Sequence, residues 1–188
     1  MSRAPLARAA ALCLALAACA SVPTPPDPDA GPDAQALADA IARVAEAVCL
    51  PAQRTGGGAA VFIGRAGAAS LGLRPAPLPD SGWVAADGSQ VFVGERQGAC
   101  FAHAKAPPPG TAPALIRTLA ASTGARLLPG RRAADGALVR RVCRTGTSLS
   151  VIAGRGPDGA DTLGVAAAPR PTPCGAFAPP EPQAKPGA

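Results

Sequence analysis

The sequence predicts an α+β fold, an antiparallel sheet with two or three helices stapled by disulfides. Three observations lead there. The 188 residues include 22 glycines and 23 prolines, too many for long uninterrupted helices. Apolar spacing of helical period gives way to runs that alternate with period two, and that order of helix then strands occurs twice, as an internal repeat would give. Four cysteines, Cys49, Cys100, Cys143 and Cys174, are spread through the same region. Hydrophobic residues make up 48% but are largely alanine, and aromatics are only 3% (Phe62, Trp83, Phe92, Phe101 and Phe177). The core must therefore come from Leu, Ile, Val and Ala, and alanine buries little area per residue ordered.

The N-terminus opens with Arg3 and Arg8 and continues in the uncharged run Ala9 to Ala18. Such a run is too short to span a bilayer and, with its basic flank, reads as a secretory signal. No stretch of the chain approaches the roughly 18 apolar residues of a membrane-spanning helix. The run ends in Leu16-Ala17-Ala18-Cys19, which resembles the lipobox of bacterial lipoproteins. The resemblance is confined to residues 1–20. It implies a signal peptide over residues 1–18, a diacylglyceryl group on the Cys19 thiol, and a fatty acid such as palmitate on the freed amine. Ala20, not aspartate, follows the lipid site. By the family's sorting rule, that places the protein on the outer membrane, facing the periplasm. Each buried methylene contributes about 0.8 kcal/mol, so two or three acyl chains anchor a protein stably.

Residues 19–32 are Pro-rich and acidic and read as a tether. In polyproline conformation it would reach about 40 Å at roughly 3.1 Å per residue. The domain proper is expected over residues 33–177, and residues 178–188, again Pro-rich, are expected to be disordered. Asp33 can cap a first helix in which Leu37, Ile41, Val44 and Val48 share one face and Gln35, Asp39, Arg43 and Glu46 the other, with Pro51 as its stop. Ala59 to Leu71 reads as a second helix weakened by Gly64 and Gly67, or as a short strand at Val61-Phe62-Ile63. Trp83–Ala86 and Ser89–Gly94 flank Asp87-Gly88, a two-residue hairpin signal, and Ala99–Ala104 continues as a strand. Thr111 as cap, Pro113 in the first turn, Leu115, Ile116 and Leu119, with Gly124 as stop, give a further helix. Arg126–Leu128, Ala137–Arg144, Thr147–Gly154 and Ala160–Ala168 form a meander. Helices followed by antiparallel strands make α+β, one sheet with helices on one face.

An even number of cysteines in an exported chain implies two disulfides, and four cysteines allow three pairings. Cys49 ends the first helix beside its apolar stripe and Cys100 sits mid-strand, so Cys49–Cys100 would staple helix to sheet. Cys143–Cys174 would then tie the tail to the meander. A redox or metal role lacks its signature, since no C-x-x-C occurs and the chain holds 1 histidine.

Catalytic chemistry is poorly provided for. Every histidine-dependent arrangement must use His103, which alternation sets opposite Cys100 on its strand, and no G-x-S-x-G surrounds a serine. Gly154 to Gly159 matches G-x-G-x-x-G, but Pro157-Asp158-Gly159 turns into another strand where a dinucleotide site needs a helix. Gly56-Gly57-Gly58 lacks the Lys-Ser/Thr of a phosphate loop, and Asp158 with Asp161 lacks the acidic density of a calcium loop. No catalytic residue, cofactor or metal is expected.

Charge is the distinctive surface property: net +6, with Arg117, Arg126, Arg131, Arg132, Arg140, Arg141 and Arg144 set against Asp135 alone. Arg131, Arg132, Arg140, Arg141 and Arg144 are the candidate anion-binding residues, although Arg140 and Arg141 must point to opposite faces of a strand. Nucleic acid is not expected, because base stacking needs clustered aromatics and this half has none. Cys49-Leu50 at a helix end, Trp83 after a Pro-rich loop and Gly98-Ala99-Cys100 in a strand resemble small exported bacterial proteins of uncharacterised function. That resemblance spans about residues 41–128 and implies no activity. The reading is a lipid-anchored, non-catalytic binding module whose partner is an envelope protein or an anionic envelope component. An inhibitor or accessory of a periplasmic enzyme is a second reading, and an envelope hydrolase using His103 a third.

Overall fold

Helix α1 (Pro32–Val44) forms in an alanine-rich segment, and Ala34, Ala38, Ala40 and Ala42 are all buried in it beside Ile41 and Val44. The computed structural model describes residues 31–77, 82–121, 125–133, 136–144, 147–156, 159–168 and Cys174, and of Arg144 and Thr147 the backbone alone. The leader, Cys19, the tether up to Ala30 and the tail from Gly175 lie outside the described residues.

Two local expectations for this helix are corrected. Gly31 is the N-cap and Pro32 opens the first turn, so Asp33 stands inside the helix and makes no capping bond. Proline suits that first position because it has no N–H to leave unpaired, and Asp33 then serves only the positive end of the helix dipole. Nor does Pro51 stop the helix. Ala45–Cys49 widens into a π turn in which the Leu50 N–H reaches Ala45 O, and α2 (Leu50–Thr55) carries on until Gly56 turns left-handed at φ +68°. The wide turn falls immediately before Pro51, whose missing N–H would have broken a regular helix at that point.

Helix α3 (Gly58–Ala66) settles the open choice at Val61-Phe62-Ile63 in favour of helix, with Ile63 buried and Val61 exposed. Its first turn is capped from elsewhere in the fold, since Ala60 N donates to Glu95 Oε2 at 3.1 Å. Gly58 sits against that carboxylate at φ +73°, where a Cβ would stand 2.6 Å from Glu95 Oε1. A 3₁₀ turn over Ala69–Leu71 leads into the strands.

Eight strands follow: β1 (Leu73–Pro75), β2 (Trp83–Ala85), β3 (Phe92–Arg96), β4 (Ala99–Lys105), then, after α4 (Thr111–Ala120), β5 (Arg126–Arg132), β6 (Leu138–Arg144), β7 (Thr147–Arg155) and β8 (Asp161–Ala167). All pairings are antiparallel, in the order β1-β2-β3-β4-β8-β7-β6-β5. The chain thus runs several helices then a four-stranded meander, followed by one helix and a second four-stranded meander, and the last strands of the two meanders pair in the centre. The fold is α+β with all helices on one face, as the sequence pattern predicts. Strand β1 was not predicted, and β5 runs past Leu128 through Pro129-Gly130 by a register shift. Asp87-Gly88 makes a wider loop than a two-residue turn. Ala85 N closes on Val91 O at 2.8 Å, and Gln90 takes φ +57° within the loop.

Helix α4 begins after Gly110, which is left-handed at φ +87° and takes the cap position expected of Thr111. The Thr111 hydroxyl donates instead to Pro108 O at 2.7 Å. Gly124, the expected stop, lies outside the described residues. Helices α1 and α4 pack together over the sheet along a polar seam, where Thr118 Oγ1 donates to Asp39 Oδ1 at 2.9 Å and Gln35 Nε2 donates to both residues. Beneath them lie Ile41, Val48, Leu115, Leu119, Val93, Leu149, Leu163 and Val165, in one continuous core.

Both disulfides have the expected partners, Cys49–Cys100 with Cα atoms 5.3 Å apart and Cys143–Cys174 at 5.6 Å. The first is fully buried between the π turn and β4. On the loop-entropy account each contributes about 4 kcal/mol. The double variant Cys49→Ala/Cys100→Ala should therefore unfold in urea with about 3–5 kcal/mol less stability. An unchanged midpoint at unchanged slope would show the staple to be unnecessary.

Arg43 on α1 pairs with Asp87 in the β2–β3 loop at 2.6 Å. The Asp87 carboxyl is held below its ordinary 3.8, first by hydrogen bonds from Ser89, against an opposing pull from burial, and then by the weaker attraction of Arg43. A depressed carboxylate stabilises the fold above its unfolded pKa, and that contribution is lost as pH falls through the folded value. The stability gap between the wild type and Asp87→Asn should be constant near neutrality and close below about pH 4. Urea midpoints at a series of pH values measure it, and a gap that persists to pH 2 would contradict the assignment.

Candidate functional site

Residues paired across antiparallel strands share a face, so the register sorts every strand side chain. Cys100, Ala102 and Ala104 on β4 and Leu163, Val165 and Ala167 on β8 are buried under the helices. The alternating positions form the other face, which no helix among the described residues covers, although Val84, Leu128 and Val139 on it are buried. One row across it runs Arg74, Val84, Phe92, His103, Gly164, Ile152, Val139 and Arg131. The next row runs Gly94, Phe101, Ala166, Ser150, Arg141 and Leu128. Arg96 and Lys105 flank these rows on the first meander, and Arg126 on the second.

The face has one sign. Arg74, Arg96, Lys105, Arg126 and Arg131 on it are exposed and Arg141 is half-buried. The only acids in the eight strands are Glu95 and Asp161, and both belong to the helix side by register. Glu95 is turned to Ala60, and Asp161 faces Arg155 at 3.7 Å. The sequence cluster is therefore split and then rejoined to distant residues. Arg131 and Arg141 lie on the uncovered face. Arg132 and Arg140 do not, Arg132 donating to Gly136 O at 3.2 Å and Arg140 lying across Gly130. Arg140 and Arg141 do point to opposite faces, as alternation requires. Arg144 continues β6, its side chain outside the described residues. Arg141 has its pKa pulled below the usual guanidinium value, by burial first and by the neighbouring Arg131 second. Arg74, Arg96 and Lys105 lie outside the segment that the sequence singled out, because only cross-strand register brings them to this face.

His103 stands in the middle of the face, half-buried, with Phe92 opposite it on β3 and the two rings stacked at 5.8 Å. Lys105 Nζ lies 5.7 Å from the Phe92 ring centre, a cation–π distance. On the other side His103 pairs with Gly164, where a Cβ would stand 2.6 Å from His103 Cβ and 2.7 Å from Ala102 O. The bare backbone of Gly164 is thus what lets β4 and β8 close at this point. Gly154-x-Gly156 leads into a hairpin, Gly156 N donating to Ala160 O at 2.7 Å, as the turn chemistry predicts. Among the described residues no three His, Cys, Asp or Glu side chains converge as metal ligands, and no helix is long and apolar enough to cross a membrane.

No protein-family model, no curated protein and no solved structure matches this chain.

Replacing Gly164 by valine should overpack this junction and lower stability by about 1–3 kcal/mol, read from the urea midpoint. A neutral result would mean that β4 and β8 have room to separate there.

Proposed function

We propose that this protein is an exported, lipid-anchored module, held by Cys19 on the periplasmic face of the outer membrane. It acts by binding an anionic partner on the uncovered sheet face and performs no covalent chemistry of its own. The observation that carries this reading is the single sign of that face, with Arg74, Arg96, Lys105, Arg126, Arg131 and Arg141 on it and both strand carboxylates on the other side. A surface of one sign attracts opposite charge over about a Debye length, roughly 8 Å at physiological salt. Eight strands about 4.8 Å apart give a platform some 34 Å across, broad enough for an extended partner. The address is supported by Leu16-Ala17-Ala18-Cys19 and its leader.

Photo-crosslinking in cells from position 131 tests the docking surface, and Arg96→Glu/Arg141→Glu should reduce adduct yield by roughly tenfold or more. One dominant protein adduct would identify an acidic protein face as the partner, and adducts only to lipid or glycan an envelope polyanion. Adduct yield unaffected by the two reversals would reject the reading. For the address, Cys19→Ala should move the protein from the membrane to the soluble fraction. Persistence on the membrane with unchanged processing would reject the anchor.

A further inference from the structure

Four glycines lie inside strands, namely Gly94, Gly130, Gly154 and Gly164. Three of them answer to a neighbour. A Cβ would stand 2.8 Å from Arg140 Nε at Gly130, 2.9 Å from Ala137 Cβ at Gly154 and 2.6 Å from His103 Cβ at Gly164. At Gly94 an added Cβ meets nothing within 4 Å and φ is ordinary, and the β3–β4 ladder runs through it without a bulge. Even Phe101, its partner across the ladder, leaves that space open. A mid-strand glycine weakens a strand, and where no bend or close neighbour demands one, it opens the backbone to a ligand.

The space above Gly94 is a hollow of about 560 Å³, bounded by Gly82, Trp83, Glu95, Arg96, Phe101 and His103. That volume lies within the roughly 300–1,000 Å³ of small-molecule sites. Phe101 and His103 are half-buried and on the uncovered face, so they supply ring surface on one side. Arg96, exposed on the same face, supplies a planar cation at the rim. Glu95 borders the hollow, but its side chain belongs to the other face, where Oε2 accepts from Ala60 N.

We infer that this hollow binds a small planar aromatic carboxylate. Its ring lies over the bare backbone of Gly94 against Phe101 and His103, and its carboxylate meets the Arg96 guanidinium. A flat ring is the shape that a side-chain-free strand floor with aromatic flanks accepts, and guanidinium matches carboxylate geometry in a two-bond fork. The inference does not rest on the docking reading, because a wide cationic face needs no hollow at Gly94.

The chain holds 1 histidine, so proton NMR of the purified full chain reads this wall through a single imidazole signal. Titration with 2-naphthoate should move the His103 signal saturably, and the neutral 2-naphthylmethanol should bind at least about tenfold more weakly. Gly94→Leu should fold, since its side chain enters open space, and should abolish the shift. Arg96→Gln should bring the acid and the alcohol to within about threefold of each other. Phe101→Ala should weaken both. The inference is overturned by an immobile His103 signal, by equal response to acid and alcohol, or by binding that survives Gly94→Leu. Failure of Gly94→Leu to fold would also overturn it, because the fold would then need that glycine itself.

Discussion

The antiparallel ladder between β4 and β8 is the constraint on which the rest of the molecule depends. Its six pairs, from Cys100↔Ala167 to Lys105↔Thr162, join two separate meanders into one sheet. Side chains alternate across a strand, so this register fixes the facing of both halves together. A slip of one residue would carry Leu163 and Val165 away from the helices and bring Arg131 and Arg141 beneath them. Joining the meanders through their last strands also leaves β1 and β5 as the edges and lets α1 and α4 meet above the centre. Gly164 is the local condition for that ladder, since His103 and the Ala102 carbonyl occupy the space a side chain would take.

The helix layer over this sheet is thin in side-chain volume. Alanines fill the inner side of α1, and among the largest fully buried side chains there is no aromatic. Small residues let α1, α4 and the sheet approach closely, but each contributes little apolar burial against the entropy of ordering its backbone. The disulfides offset this deficit from opposite sides. Cys49–Cys100 fastens the π turn to the central strand under the helices, whereas Cys143 lies on the uncovered face, paired in register with Ser148, and draws Cys174 to that side. Two such links, at about 4 kcal/mol each, are comparable with the whole net stability of a small domain.

What could be read in the sequence was what depends on period and neighbour. The stripe Ile41, Val44, Val48 and the alternation in β6, β7 and β8 are local signals, and the elements stand nearly where those signals put them. The sequence leaves cysteine pairing open among three choices, and the meeting of a helix end with a strand centre decides it. The misses have non-local causes. Pro51 ends a helix by ordinary rules, but here the chain before it is held against β4 by Cys49 and widens into a π turn that absorbs the proline. Helix α3 competes evenly with a strand until Glu95, from another element, caps it. Strand β1 is too short to show a period. The cationic face was only half legible, because Arg131 and Arg141 adjoin Arg132 and Arg140 in sequence but not in facing, while Arg74, Arg96 and Lys105 join them only through register.

Cations on a sheet have an ordinary use, which is to keep exposed edges from pairing with other chains. Strand β5 shows all its marks: Arg126, Arg131 and Arg132 are exposed on an edge strand that Pro129 and a register shift interrupt. Edge protection accounts for those residues and needs no partner. It does not account for Arg141. That residue is on β6, an inner strand, and burial and Arg131 both act against its charge. Two like charges side by side on one face oppose folding. The same separation applies to Arg96 and Lys105, which lie on β3 and β4 away from either edge. Edge defence therefore explains the outer cations and leaves the inner ones to the proposed anionic partner. The two demands place positive charge on the same face without conflict, because neither tolerates a carboxylate there.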